Sequence, residues 1–195
     1  VGSEMCIRDR EQSLMNFSDI NSHRLLSLCT DFRHAIEKAK MNHEFNGVYS
    51  LENFPNGSCG YTCELLHEYL NEYRIPTYYI WGSDLSGQTH AWLALAETVQ
   101  VYYEPLPTNY LEIIAKYDSI TQNTSTKHYN LDNSIIIDIT GDQFKDKSEY
   151  YNFSEAVYIG EPTRFHRLFH IDGPANICED PFTDMNVLKI IKGYL

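Results

Sequence analysis

Cys59, His90 and Asp138 are the residues whose types and settings could together do chemistry. Cys59 lies in Gly57-Ser58-Cys59-Gly60, just after the turn signal Phe54-Pro55-Asn56-Gly57 and at the head of an apolar stripe with helical spacing. A cysteine there faces unpaired amides and the positive end of the helix dipole, which favour thiolate over thiol. Its small neighbours would let a substrate backbone approach, and its amide could point at a developing oxyanion. His90 follows the polar run Gly82 to Gln88 and opens His90-Ala91-Trp92-Leu93, where an imidazole can stand at a sheet end. Asp138 interrupts Ile135-Ile136-Ile137-Asp138-Ile139-Thr140. A carboxylate in so apolar a strand needs a cationic or hydrogen-bonding partner, because an unpaired buried charge is expensive. Each residue has a plainer reading: a lone cysteine is most often a small buried hydrophobe, and a lone histidine a structural or surface residue. Together they have the logic of nucleophile, base and orienter.

The elements that must position them follow from periodicity and turn signals. From Ser18 or Asp19, apolar residues at Ile20, Leu25, Leu28, Cys29, Phe32, Ala35, Ile36 and Ala39 predict an amphipathic helix. Leu65, Leu66, Tyr69, Leu70 and Tyr73 predict a second, from Cys59 or Gly60 to Tyr73, before Pro76. Strands are expected over 77–81, 90–96, 99–103 and 134–140, with the last over 156–159 and a closing helix over 184–194. A short helix over 110–117 and a polar stretch over 121–130 read as part of an insertion at about 99–133. The whole is an α+β chain, an antiparallel sheet packed against helices, with no internal repeat.

The order of Cys at a helix start, His-x-Trp on a strand and Asp-x-Thr on a later strand resembles the transglutaminase-like branch of the papain-like cysteine hydrolases. The resemblance rests on Phe54 to Gly60, Gln88-Thr89-His90-Ala91-Trp92-Leu93 and Ile136-Ile137-Asp138-Ile139-Thr140-Gly141-Asp142-Gln143-Phe144, and is greatest to uncharacterised bacterial proteins carrying the same three blocks. It covers roughly residues 54–144. It implies a papain-like core with the nucleophile at a helix N-terminus, Cys59 attacking an amide or ester carbonyl, His90 as general base then acid, and Asp138 as orienter. Peptides, proteins or small amides would be the substrates. The Cys59 to His90 span is far shorter than in papains, and the His90 to Asp138 span exceeds the usual compact hairpin, a surplus attributed to the insertion; without it, Asp142 replaces Asp138.

Other candidates compete. Cys63 loosely matches the papain block in which the second cysteine reacts, but the spacing has one residue too many and Glu64 replaces the aromatic; a turn into the helix, burial is expected. Asn53 is a candidate oxyanion assistant by analogy with the papain glutamine. Cys59, Cys63 and His67 share a helical face, yet the first and third lie about 12 Å apart along the axis, too far to share one ion. His166 and His170, four apart, are assigned solvated or packing roles. Neither a metal nor a cofactor is expected, and no glycine-rich phosphate loop is present.

Composition bounds the rest. At 195 residues with 43% hydrophobic and 22% charged residues, the chain has apolar material for one core and is poorly suited to disorder or a coiled coil. Residues 1–14 are expected to be a non-native or disordered leader, Val1 to Arg10 resembling translated adaptor sequence, and 15–195 a single domain. A net charge of −12 would repel nucleic acid. There is no apolar run of about 18 residues, and five cysteines at sparse spacing suit reduced thiols, so a cytoplasmic protein without membrane contacts is expected. An acetyltransferase with the same triad, or a binding module that keeps the fold without turnover, are the alternatives.

Overall fold

The computed structural model describes residues 22–105, 125–147 and 149–195. Its helices form where apolar spacing requires. α1 (Ser22–Met41) buries Leu25, Cys29, Phe32, Ala35, Ile36 and Ala39 along one stripe and ends in Lys38 and Lys40, which suit the negative end of its dipole. Lys40 Nζ donates to Phe54 O at 2.7 Å, tying that end to the turn that precedes Cys59. After the single turn α2 (Tyr49–Glu52), α3 (Cys59–Glu72) buries Cys63, Leu65, Leu66, Tyr69 and Leu70. The closing helix α4 (Met185–Lys192) is capped by the Asp184 side chain, which accepts from the amides of Asn186 and Val187.

Five strands form one antiparallel sheet in the order β6 (Tyr158–Gly160), β5 (Ile136–Asp138), β2 (Thr89–Leu95), β1 (Thr77–Ser83) and β7 (Ile177–Cys178). Side chains alternate between the faces, so β2 sends Ala91, Leu93 and Leu95 to the helices and His90, Trp92 and Ala94 to the other side. The helical layer holds the larger core; fully buried leucines such as Leu65 and Leu93 contribute roughly 1.5–3 kcal/mol each. The opposite face is an aromatic layer of Trp92, Phe144, Phe153, Phe165 and Phe169. Both faces of β2 are therefore covered, and from His90 onward the strand is buried. The expected α+β architecture is what the chain adopts.

Several local expectations are corrected. The 121–130 stretch is not wholly irregular: β4 (Ser125–Asn130) pairs with β3 (Gln100–Pro105) in a separate two-stranded sheet. Tyr78 packs on Tyr129 across the sheets, and Lys127 and Tyr129 both reach Glu179, which anchors the hairpin beside β7. The strand at 156–159 is shifted to 158–160 and is not the last, since β7 follows it at the far edge. Only Ile136–Asp138 of the 134–140 run is strand, because Asp138 turns its carboxylate back onto the Thr140 amide and starts the 3₁₀ turn Gly141–Phe144. The predicted helix over 110–117, the leader and the expected start of the first helix at Ser18 or Asp19 lie outside the described residues. Among the described residues, no helix is long and apolar enough to cross a membrane.

Candidate active site

Cys59 is the first residue of α3 and is partly exposed. The turn before it has Gly57 at φ +68°, a conformation suited to glycine. Ser58 holds the N-cap position but does not cap: its hydroxyl turns back to donate to Pro55 O at 2.8 Å. The first-turn amides thus have no side-chain acceptor from Ser58, and the first intrahelical bond is from Thr62 N to Ser58 O. Gly60 follows; a Cβ there would stand 3.1 Å from the Tyr79 hydroxyl, so that phenol lies directly over the residue beside the thiol.

His90 and Asp138 come together through sheet geometry. Leu93 pairs with Ile137 and Ala94 with Ile136; extending that register puts Asp138 opposite Trp92, with His90 two residues further along the same face. His90 Nε2 lies 2.8 Å from Asp138 Oδ2, and both side chains are fully buried. The rings of Phe144, Phe165 and Phe169 surround His90 with centroids at 5.1–5.4 Å. Water is excluded there, which strengthens every charge interaction that remains. On the thiol side, Cys59 meets the His90 ring, the Ala91 backbone amide and the Gln143 side chain. With Nε2 taken by Asp138, Nδ1 is the nitrogen left for that side.

The electrostatics follow from these contacts. Burial pushes the Cys59 thiol up, but the hydrogen bond and charge of His90, with the Ala91 amide and Gln143, outweigh it and hold the thiol below its ordinary value. Burial alone would make His90 a weaker base; the Asp138 charge and hydrogen bond, with Cys59, raise it to about 9. Asp138 is raised by burial yet kept well below the usual carboxylate range by His90 and His166. The arrangement supports a thiolate–imidazolium pair with a carboxylate behind it.

Asp142 is not adjacent to His90. It is held bidentately by the buried Arg33 at 2.7 and 2.8 Å, and Arg33 also donates to Ile139 O and Ala156 O. That clamp docks α1 onto the turn carrying Gln143. Cys63 is buried and its thiol is raised far above the ordinary value by that burial. His67 is buried as well, with its ring nitrogens engaged by Thr77 Oγ1 and the Asn71 amide. Among the described residues, no three His, Cys, Asp or Glu side chains are arranged so that they could hold a metal ion.

Two further residues stand beside the site: Gln143, for which the sequence suggests no role, and His166, for which it suggests only solvation or packing. Gln143 Oε1 accepts from Gly57 N at 3.2 Å, while its Nε2 lies 3.0 Å from Thr140 O and 3.3 Å from His90 Nδ1. It stands beside Cys59, whereas Asn53 lies exposed at the end of α2. A signal for it is present, since Gln143 belongs to the same block as Asp138. His166 is 1% exposed and reaches Asp138, whereas His170 is exposed and pairs with Asp172. Their spacing of four misleads, because 166–168 is a 3₁₀ turn that then extends, so the two rings do not share a face.

Comparison with family models, with curated proteins and with solved structures returns no match.

Proposed function

We propose that this chain is a thiol-dependent acyl-transfer enzyme of the papain-like, transglutaminase-like type, with water as the default acceptor. The observation that carries the proposal is a partly exposed cysteine at an uncapped helix N-terminus, facing an imidazole whose far nitrogen is 2.8 Å from a buried carboxylate. In the first half-reaction, the Cys59 sulfur forms a bond to an amide carbonyl carbon. First-turn amides of α3 and Gln143 Nε2, which stands beside Cys59, supply the donors for the resulting oxyanion. His90 then gives its Nδ1 proton to the departing nitrogen as the C–N bond breaks, leaving a thioester. In the second, water loses a proton to His90 as its oxygen attacks the thioester, and the C–S bond breaks to release a carboxylic acid and restore the thiolate. Asp138 holds the ring and balances its charge throughout. An amine in place of water makes the same chemistry a transfer.

Iodoacetamide labelling at neutral pH tests this. Selective modification of Cys59 over Cys29 and Cys178, weakened by His90→Ala, is expected. Equal labelling of all three thiols in the native protein overturns the activated nucleophile and leaves a binding module. Product release with and without added amine then separates hydrolysis from transfer.

A further inference from the structure

Asp138 Oδ2 serves two imidazoles. His90 Nε2 stands at 2.8 Å and His166 Nε2 at 3.3 Å from that one oxygen, and all three side chains have no solvent exposure. Oδ1 accepts from the Thr140 amide at 2.9 Å, with the Thr140 hydroxyl at 3.4 Å. His166 Nδ1 faces the Thr163 backbone nitrogen at 3.3 Å and Thr163 Oγ1 at 2.8 Å. A backbone N–H can only donate, so Nδ1 accepts and the His166 proton resides on Nε2, which donates to Asp138. The opposite tautomer would set two donors against each other at Thr163 and leave no proton for the carboxylate.

The ring has little freedom to turn. Tyr158 stacks on it at 5.3 Å, and Phe153, Trp92 and Phe165 meet it edge-on at 5.0–5.5 Å. We propose that His166 is a positioning residue: a neutral N–H donor that locks the Asp138 carboxylate, and through it the His90 ring with Nδ1 toward Cys59. This rests on the thiol reading above. Neutrality matters, because a cation at this place would cancel the carboxylate charge that balances protonated His90, whereas a neutral donor orients it and leaves the charge intact. The groups facing His166 are Asp138 and His90 from the sheet, Glu155 from the preceding loop and Tyr158 from β6, with Asp132 and Arg167 on a cavity of about 110 Å³ that His166 also lines. Burial outweighs the pull of Asp138, and the nearby His90 adds to it, so His166 is held below an ordinary histidine.

Three variants and one measurement on the native protein test the role. His166→Gln keeps an N–H near the place of Nε2; His166→Leu fills similar space with no donor; Thr163→Val removes the hydroxyl but not the amide. The readout is the pH profile of Cys59 alkylation. His166→Gln and Thr163→Val are expected to keep its midpoint, whereas His166→Leu slows alkylation at neutral pH roughly three- to tenfold, the size of one buried hydrogen bond, and moves the midpoint upward. A folded His166→Leu variant with the native profile overturns the proposal. Should His166→Leu fail to fold, nitrogen-15 NMR of the native histidines decides: a neutral His166 protonated on Nε2 is expected, and a proton on Nδ1 overturns it. Loss of Cys59 selectivity in the native protein is a different failure, that of the thiol reading itself, and is seen before any variant is made.

Discussion

Replacing Asp138 by Asn keeps the volume and removes one charge, which makes it the sharpest probe of the candidate site. The native carboxylate accepts from His90 and His166 on Oδ2 and from Thr140 on Oδ1. With the Asn carbonyl kept toward the Thr140 amide, the new NH₂ group faces two imidazole N–H groups. His166 cannot move its proton, because the Thr163 amide blocks Nδ1. His90 can, but then carries it on the Cys59 side and no longer accepts from the thiol. His90 is raised from 6.5 to about 9 against the opposing effect of burial, chiefly by Asp138. At about 1.36 kcal/mol per pKa unit that support is worth roughly 3 kcal/mol, or about 100-fold in the thiolate–imidazolium population. Asp138→Asn is therefore expected to slow Cys59 alkylation at pH 7 by about two orders of magnitude. The assay is the second-order rate with iodoacetamide, read by peptide mass spectrometry, with circular dichroism confirming the fold. A folded variant reacting within about threefold of native would refute the reasoning, since a change that small is less than one hydrogen bond.

The same pair makes stability depend on pH in two opposite limbs. Asp138, held low, contributes stability above its unfolded value of 3.8 that is lost as pH falls; His90, held high, contributes stability below 6.5 that is lost as pH rises through about 9. Cys59→Ala removes the opposing titration of the lowered thiol; its urea midpoints should peak between about pH 4 and 6.5, and a flat profile from pH 4 to 9 in that variant would contradict the buried pair. Arg33→Met leaves Asp142 and the carbonyls of Ile139 and Ala156 without their donor, and is expected to lower unfolding free energy by about 3–5 kcal/mol in chemical denaturation. Thr62 Oγ1 is buried in α3 with no hydrogen-bond partner, so Thr62→Val should stabilise the fold by about 1 kcal/mol; destabilisation by as much would reveal a partner for that hydroxyl.

Local pattern carried the elements that hold the candidate side chains. The turn at 54–57 and the stripe Leu65, Leu66, Tyr69, Leu70 put Cys59 at a helix start within one residue, because both signals depend only on neighbours along the chain. The alternation of 134–140 likewise assigned Asp138 to one face and Ile137 to the other, and the mid-strand carboxylate announced the need for a partner. None of this says which groups meet. The sequence favours Asp138 and keeps Asp142 as its substitute; the three-dimensional fold separates them, since Arg33 on a helix more than a hundred residues earlier takes Asp142 and the β2–β5 register delivers Asp138 to His90. Gln143, His166 and the β3–β4 pairing belong to turns and long-range closures, where position is set by packing and not by a repeating period. The order of residues thus determines which groups are available and the face each takes, while the hydrogen bonds that would make one thiol acidic and one imidazole basic exist only once distant segments close around a dry aromatic layer.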